Sequence, residues 1–248
     1  MNATAQMLDW NDEPDEGWSS SQARSAVAAK CVNRVPPRAW NGADYAQEQI
    51  KSLVQHVFFP GQGLGIRHLV VSSVEPTRAS RWLCARVGRI LARDTGERVC
   101  MMEADWEETR RQAEFGPAEK RPFGGSSAAL PCTVRKVDHN LWLVPVEVFS
   151  GEDDPGMLRI MDLRSRISEL RQEFHYTLIH APPLSRRREA VLLGQLSDGV
   201  LLVLEANTTR RAAAQRAKSV LESSQVRLLG TVLSERTFPI PESLYRRL

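Results

Sequence analysis

The sequence predicts a doubly wound α/β fold, a mostly parallel sheet flanked by helices on both sides. Short apolar or β-branched runs alternate along the chain with stretches whose apolar residues recur every three or four positions. The short runs are continuously apolar, as strands covered on both faces are. A content of 42% apolar and 25% charged residues over 248 positions suits one sizeable folded domain with appendages.

Residues 1–40 carry Pro14, the serines 19–21, Pro36 and Pro37 without apolar periodicity, and are expected to be a disordered N-terminal region. Over 45–59, Ile50, Leu53, Val54, Val57 and Phe58 mark one helical face, closed by Pro60-Gly61. The run 68–74 reads as a buried strand, and Leu83, Val87, Ile90 and Leu91 place a helix over 80–92. A second strand spans 98–102 and leads to Glu103 and Asp105. Residues 107–137, with Pro117, Pro122, Gly124-Gly125 and Pro131, read as a loop-rich insertion.

A third strand follows at 141–144, a helix over 157–174, and a fourth strand at 176–179 closed by His180-Ala181-Pro182-Pro183. A helix over 187–195 precedes 199–205, the most hydrophobic run, which is expected at the sheet centre. Thr208 or Thr209 is expected to cap a helix running to 223, and 227–233 supplies the last strand.

Charge and cysteine usage exclude several functions. No stretch reaches the roughly 20 apolar residues that span a bilayer, and the acidic start (Asp9, Asp12, Glu13, Asp15, Glu16) is unlike a signal peptide, so a cytoplasmic protein is expected. Cys31, Cys84, Cys100 and Cys132 form no C-x-x-C pair, and Cys84 and Cys100 read as core residues. The five histidines show no metal-ligand spacing, and no Gly-x-Ser-x-Gly elbow accompanies them. Gly61-Gln62-Gly63-Leu64-Gly65 precedes its strand, whereas a dinucleotide fingerprint must follow one. A net charge of +3 on 33 basic and 30 acidic residues does not announce a nucleic-acid partner.

In a doubly wound sheet the ligand site lies at the carboxyl ends of the strands, so the turn after the first strand is the place to look. A working phosphate loop needs glycines that let successive N–H groups curl around the anion, a lysine, and a Ser/Thr for Mg²⁺. This turn reads Val74-Glu75-Pro76-Thr77-Arg78-Ala79-Ser80-Arg81-Trp82, without glycine or lysine. Losing both glycines removes the backbone freedom for a phosphate nest.

Ser72-Ser73 before this turn, Pro76 within it and the strand leading to Glu103-Ala104-Asp105 resemble the bacterial tyrosine autokinases (BY-kinases) of polysaccharide biosynthesis, relatives of the Min/Par-type deviant P-loop ATPases. Tyr176-Thr177-Leu178-Ile179-His180-Ala181-Pro182-Pro183 is similar to that family's strand ending in Asp-x-Pro-Pro, and 199–205 and 229–233 continue the likeness over roughly 45–248. The resemblance implies a P-loop NTPase-like domain over 41–248. It puts Thr77 and Ala79 at the glycine positions, Ser80 at the lysine, Arg81 at the Mg²⁺-binding hydroxyl and Trp82, whose bulk would lie near a phosphate, at a small residue. Glu103 and Asp105 stand where the family has two aspartates, and His180 replaces its second acidic strand-end residue.

The implied function is that of a degenerate kinase-like domain, a pseudoenzyme acting as scaffold or regulator in exopolysaccharide or capsule biosynthesis. Ser80, Arg81, Asp105 and His180 are the degenerate catalytic positions, and no cofactor is expected. Arg78 and Arg81 are candidates for residual phosphate contact, Glu103 and Asp105 for a weak metal site, and Tyr245 for a phosphoacceptor. The implied partner is a membrane polysaccharide chain-length or export protein, which would recruit the chain to the inner membrane, or an active kinase homologue. A homo-oligomer is open, although the ring-forming helix keeps Glu48 but has Lys51 and Val54 at its other positions. One alternative is a divergent active ATPase or tyrosine kinase using ATP and Mg²⁺ through Arg78 or Arg81 with Glu103 and Asp105. The other is a Par-like module binding DNA through the arginine runs 186–188, 210–211 and 246–247.

Overall fold

The computed structural model describes residues 42–61, 65–105, 120–123, 132–144, 150–151, 154–158 and 160–235. The N-terminal region 1–40, Cys31 and Tyr245 lie outside the described residues.

The elements follow in the order α1 (Gly42–Phe58), β1 (His68–Ser73), α2 (Ala79–Thr95), β2 (Val99–Glu103), β3 (Lys120–Phe123), β4 (Cys132–Asp138), β5 (Leu141–Val144), β6 (Ser150–Gly151), β7 (Asp154–Leu158), α3 (Ile160–Glu173), β8 (Tyr176–His180), α4 (Glu189–Gln195), β9 (Gly199–Glu205), α5 (Arg211–Ser223) and β10 (Leu228–Ser234). Eight strands form one sheet in the order β10-β9-β1-β8-β2-β5-β4-β3, while β6 and β7 pair separately. From β10 to β5 every pairing is parallel, and β4 and β3 add an antiparallel margin.

Side chains alternate across a strand, so one strand feeds two cores. Leu69, Val71, Val99, Met101, Leu141, Tyr176 and Leu178 face α1 and α2, where they meet Ile50, Val54, Phe58, Leu83, Val87 and Leu91. Val70, Cys100, Met102, Val144, Ile179 and Val200 face the other way, onto Leu163, Ile167, Leu170 and Phe174 of α3 with its C-terminal flank, Leu193 of α4 and Leu221 of α5. The expected doubly wound, mostly parallel sheet is therefore present. Cys84 and Cys100 are fully buried, and burial is the main reason both thiols are pushed up.

Four expectations are corrected. The insertion 107–137 contains strands β3 and β4, which extend the sheet instead of looping over it. The helix expected over 157–174 starts at Ile160, because Asp154–Leu158 is a strand. The hydrophobic run β9 stands next to the edge strand β10, and β8 and β2 hold the centre. At α5 the N-cap is Arg210, while the Thr209 hydroxyl accepts from the Glu205 N–H at 3.0 Å, bracing the end of β9 instead of capping the helix.

Candidate functional site

The carboxyl ends of β1, β8 and β2 lie side by side, and strand parity decides what meets there. Glu103 and His180 are register partners in the parallel β2–β8 pair. Both share the parity of Met101 and Leu178, so both point to the face covered by α2. The first turn of α2 brings Ser80 and Arg81 onto them.

The result is a continuous buried chain. Ser80 Oγ lies 3.0 Å from His180 Nε2 and donates to the Thr77 carbonyl at 3.2 Å. His180 Nδ1 donates to Glu103 Oε1. The other carboxylate oxygen, Oε2, takes Arg81 Nε at 3.0 Å. Ser80 and His180 are each 2% exposed and Glu103 5%, which keeps water from competing for these bonds. Cys84, one turn beyond Ser80, has its thiol pushed up by burial and further by the Glu103 carboxylate, against an opposing pull from Arg81.

The turn itself is braced from both sides. The Ser72 hydroxyl donates to the Pro182 carbonyl at 2.8 Å, and the Leu184 and Ser185 amides donate to the Ser73 and Val74 carbonyls at 2.9 and 3.1 Å. Within the turn the Ala79 N–H donates to Thr77 Oγ1 at 3.2 Å, and the first helical bond runs from Trp82 N–H to the Arg78 carbonyl at 3.1 Å. Among the described residues, positive φ occurs at Gly96, Gly199, Asn140, Asn207, Gln225 and Glu235, and nowhere between Val74 and Trp82. An alternation of right- and left-handed residues, which points successive N–H groups into an anion nest, is therefore not what this turn adopts.

The expected site residues separate into two groups. Ser80, Arg81, Glu103 and His180 come together. Arg78, the N-cap of α2, is exposed at the surface, so the two arginines considered for phosphate diverge: Arg81 is turned inward onto Glu103. Asp105 is buried two residues past the end of β2. Among the described residues no group of three His, Cys, Asp or Glu is arranged to hold a metal ion. Trp82 corrects its expectation: it is 40% exposed, with the Arg86 guanidinium 4.7 Å above its ring, so its bulk faces solvent and not the turn. A cavity of about 250 Å³ lined by Leu53, His56, Ile66, Arg227 and Leu229 lies between α1 and β10, at residues that precede β1 and begin β10, away from these strand ends.

Sequence reasoning treated His180 and Ser80 as separate losses and missed that they bond to each other. The signal was available in the parity of Tyr176, Leu178 and His180 against Val99, Met101 and Glu103. Only the adjacency of β8 and β2 was lacking.

No protein-family model matches the chain. It is similar to the tyrosine-protein kinase CpsD of Streptococcus pneumoniae, with 24% identity over 197 residues, covering 77% of this chain and 84% of that protein. Its structure is similar to the kinase domain of the Escherichia coli tyrosine kinase ETK, with a TM-score of 0.62 and 13% identity over 79% of each chain. It is also similar to the cell division protein MinD of Aquifex aeolicus, with a TM-score of 0.50 and 18% identity, covering 73% of this chain and 72% of that one. No described helix is long and apolar enough to cross a membrane. The chain thus has a P-loop NTPase-like fold and is distantly homologous to the CpsD tyrosine kinases.

Proposed function

We propose that this chain is a non-catalytic relative of the bacterial tyrosine kinases, a scaffold or regulator in exopolysaccharide or capsule biosynthesis. The observation that carries the reading is the Ser80–His180–Glu103–Arg81 chain, which fills the strand ends where this fold would hold phosphate and metal. Four of the side chains a nucleotide would meet, Ser80, Arg81, Glu103 and His180, are bonded to one another. Opening the site would break a buried ion pair and two further buried hydrogen bonds, together worth several kcal/mol, on the order of an entire ligand-binding energy. The missing glycines act in the same direction, because a turn without positive φ directs few N–H groups at one point.

A protein without turnover acts through contacts. The partners this reading favours are a membrane chain-length or export protein and an active kinase homologue, by the distant homology to CpsD. Incubation with radiolabelled ATP and Mg²⁺ tests the reading: neither phosphate release nor phosphotyrosine is expected above the level of a Glu103→Gln control. Turnover abolished by that substitution would overturn it.

A further inference from the structure

The solvent face of α2 carries Arg78, Trp82, Arg86, Arg89 and Arg93, at successive spacings of four, four, three and four residues. At 3.6 residues per turn these five positions fall within about 80° of arc and run over about 22 Å of helix. The opposite face, with Leu83, Val87 and Leu91, is buried in the sheet, so the row is straight and fixed in place. Asp94 is the helix's one acidic residue, and its position falls about 100° off Arg93.

Within the row, like charges crowd one another. The Arg86 guanidinium lies over the Trp82 ring at 4.7 Å, and it is pulled below the ordinary arginine range by burial and then by Arg89. Arg89 is drawn toward Asp138 of β4, at a distance of 3.9 Å where both side chains are well exposed. Same-sign neighbours three and four apart destabilise a helix. An outside anion would relieve that repulsion.

We propose that this Arg/Trp row is a docking surface for an acidic segment of a partner protein. Composition selects that class of partner. Arginine and tryptophan are the residues most enriched at the centres of protein interfaces, whereas lysine is depleted there, and the row contains no lysine. A nucleic-acid surface would stack bases on an open indole, but one face of Trp82 already holds Arg86, and the chain is nearly balanced at +3. A membrane-surface helix would need its apolar face free for lipid, and that face is buried against β1, β2 and β8. The surface rests on the scaffold reading for its biological setting only; the side-chain row exists whether or not nucleotide binds.

The test uses the full chain and a fluorescein-labelled poly-glutamate peptide, followed by anisotropy. Saturable binding that weakens with added salt is expected, falling at least about tenfold in Arg86→Glu/Arg93→Glu and persisting in Arg86→Lys/Arg93→Lys. Trp82→Phe should also weaken it. Unfolding curves of each variant check that the fold is kept. Absence of binding, binding indifferent to charge reversal, or equal or tighter binding of an oligothymidylate of matched charge or of phosphatidylserine vesicles would overturn the proposal. A separate titration with ATP and Mg²⁺ distinguishes the two readings. Nucleotide binding with intact peptide binding sinks the non-catalytic reading alone, and a nucleotide-inert chain that ignores the peptide sinks this one alone.

Discussion

Glu103 shows how one carboxylate ties three elements together. It leaves β2, takes His180 from β8 on one oxygen and Arg81 from α2 on the other. Removing it takes an acceptor from the part-buried Arg81 guanidinium and from the buried His180 imidazole. Glu103→Ala is therefore expected to lower unfolding free energy in urea by about 3 kcal/mol. Combined with Arg81→Ala it should cost less than the two singles added, with a coupling of about 1 kcal/mol or more. Additive losses would mean that the pair contributes nothing. His68 makes a different prediction. It is buried at the start of β1 with Nδ1 lacking a hydrogen-bond partner, and burial, followed by the Arg171 charge, lowers its pKa from 6.5 to about 4 against an opposing pull from Asp198. The folded chain thus keeps this ring neutral while the unfolded chain protonates it below 6.5. Its contribution to stability is present above that pH and is lost as pH falls toward 4. Denaturation midpoints measured across that window should fall on acidification, and His68→Leu should flatten the slope.

Strands made of continuous apolar runs were legible in the sequence, the edge strand β10 among them, and the strands interrupted by proline or charge were not. The core strands β1, β2, β5, β8 and β9 are short apolar runs, and each was placed within two residues. The β3–β4 margin was not, because β3 contains Pro122, which argues against a strand except at an edge, and an edge is where it lies. Its partner β4 sets Arg135 and Lys136 between Val134 and Val137, which pack on opposite faces of the sheet, and these two cations interrupt the apolar run by which the other strands are recognised. The packing of α4 gives a prediction at this scale. A Cβ at Gly194 would sit 2.6 Å from Val226 Cγ1 and 2.7 Å from Val200 Cγ2, so the helix approaches β9 only because the side chain is missing. Gly194→Ala should cost about 1–3 kcal/mol by thermal or chemical unfolding, despite alanine's better helix propensity. An unchanged or raised midpoint would mean that α4 is free to shift outward.

At the scale of the molecule, topology turns scattered residues into a site. Ser80, Arg81, Glu103 and His180 span 101 positions of sequence; read singly, Ser80 and His180 are losses relative to a phosphate-binding site, Arg81 a substitute contact and Glu103 a retained acid. What they make together follows from the strand order β1-β8-β2 and from parity, and strand order is what a sequence without its fold withholds. The arginine row of α2 was hidden for a related reason: its members are separated by buried residues, so no local basic run announces them. The central claim is that the strand ends are closed by the protein's own side chains. Isothermal titration with ATP and Mg²⁺ measures this most directly. The expected result is no saturable heat and no shift in the unfolding temperature, while a Mg²⁺-dependent isotherm of one nucleotide per chain would contradict the claim.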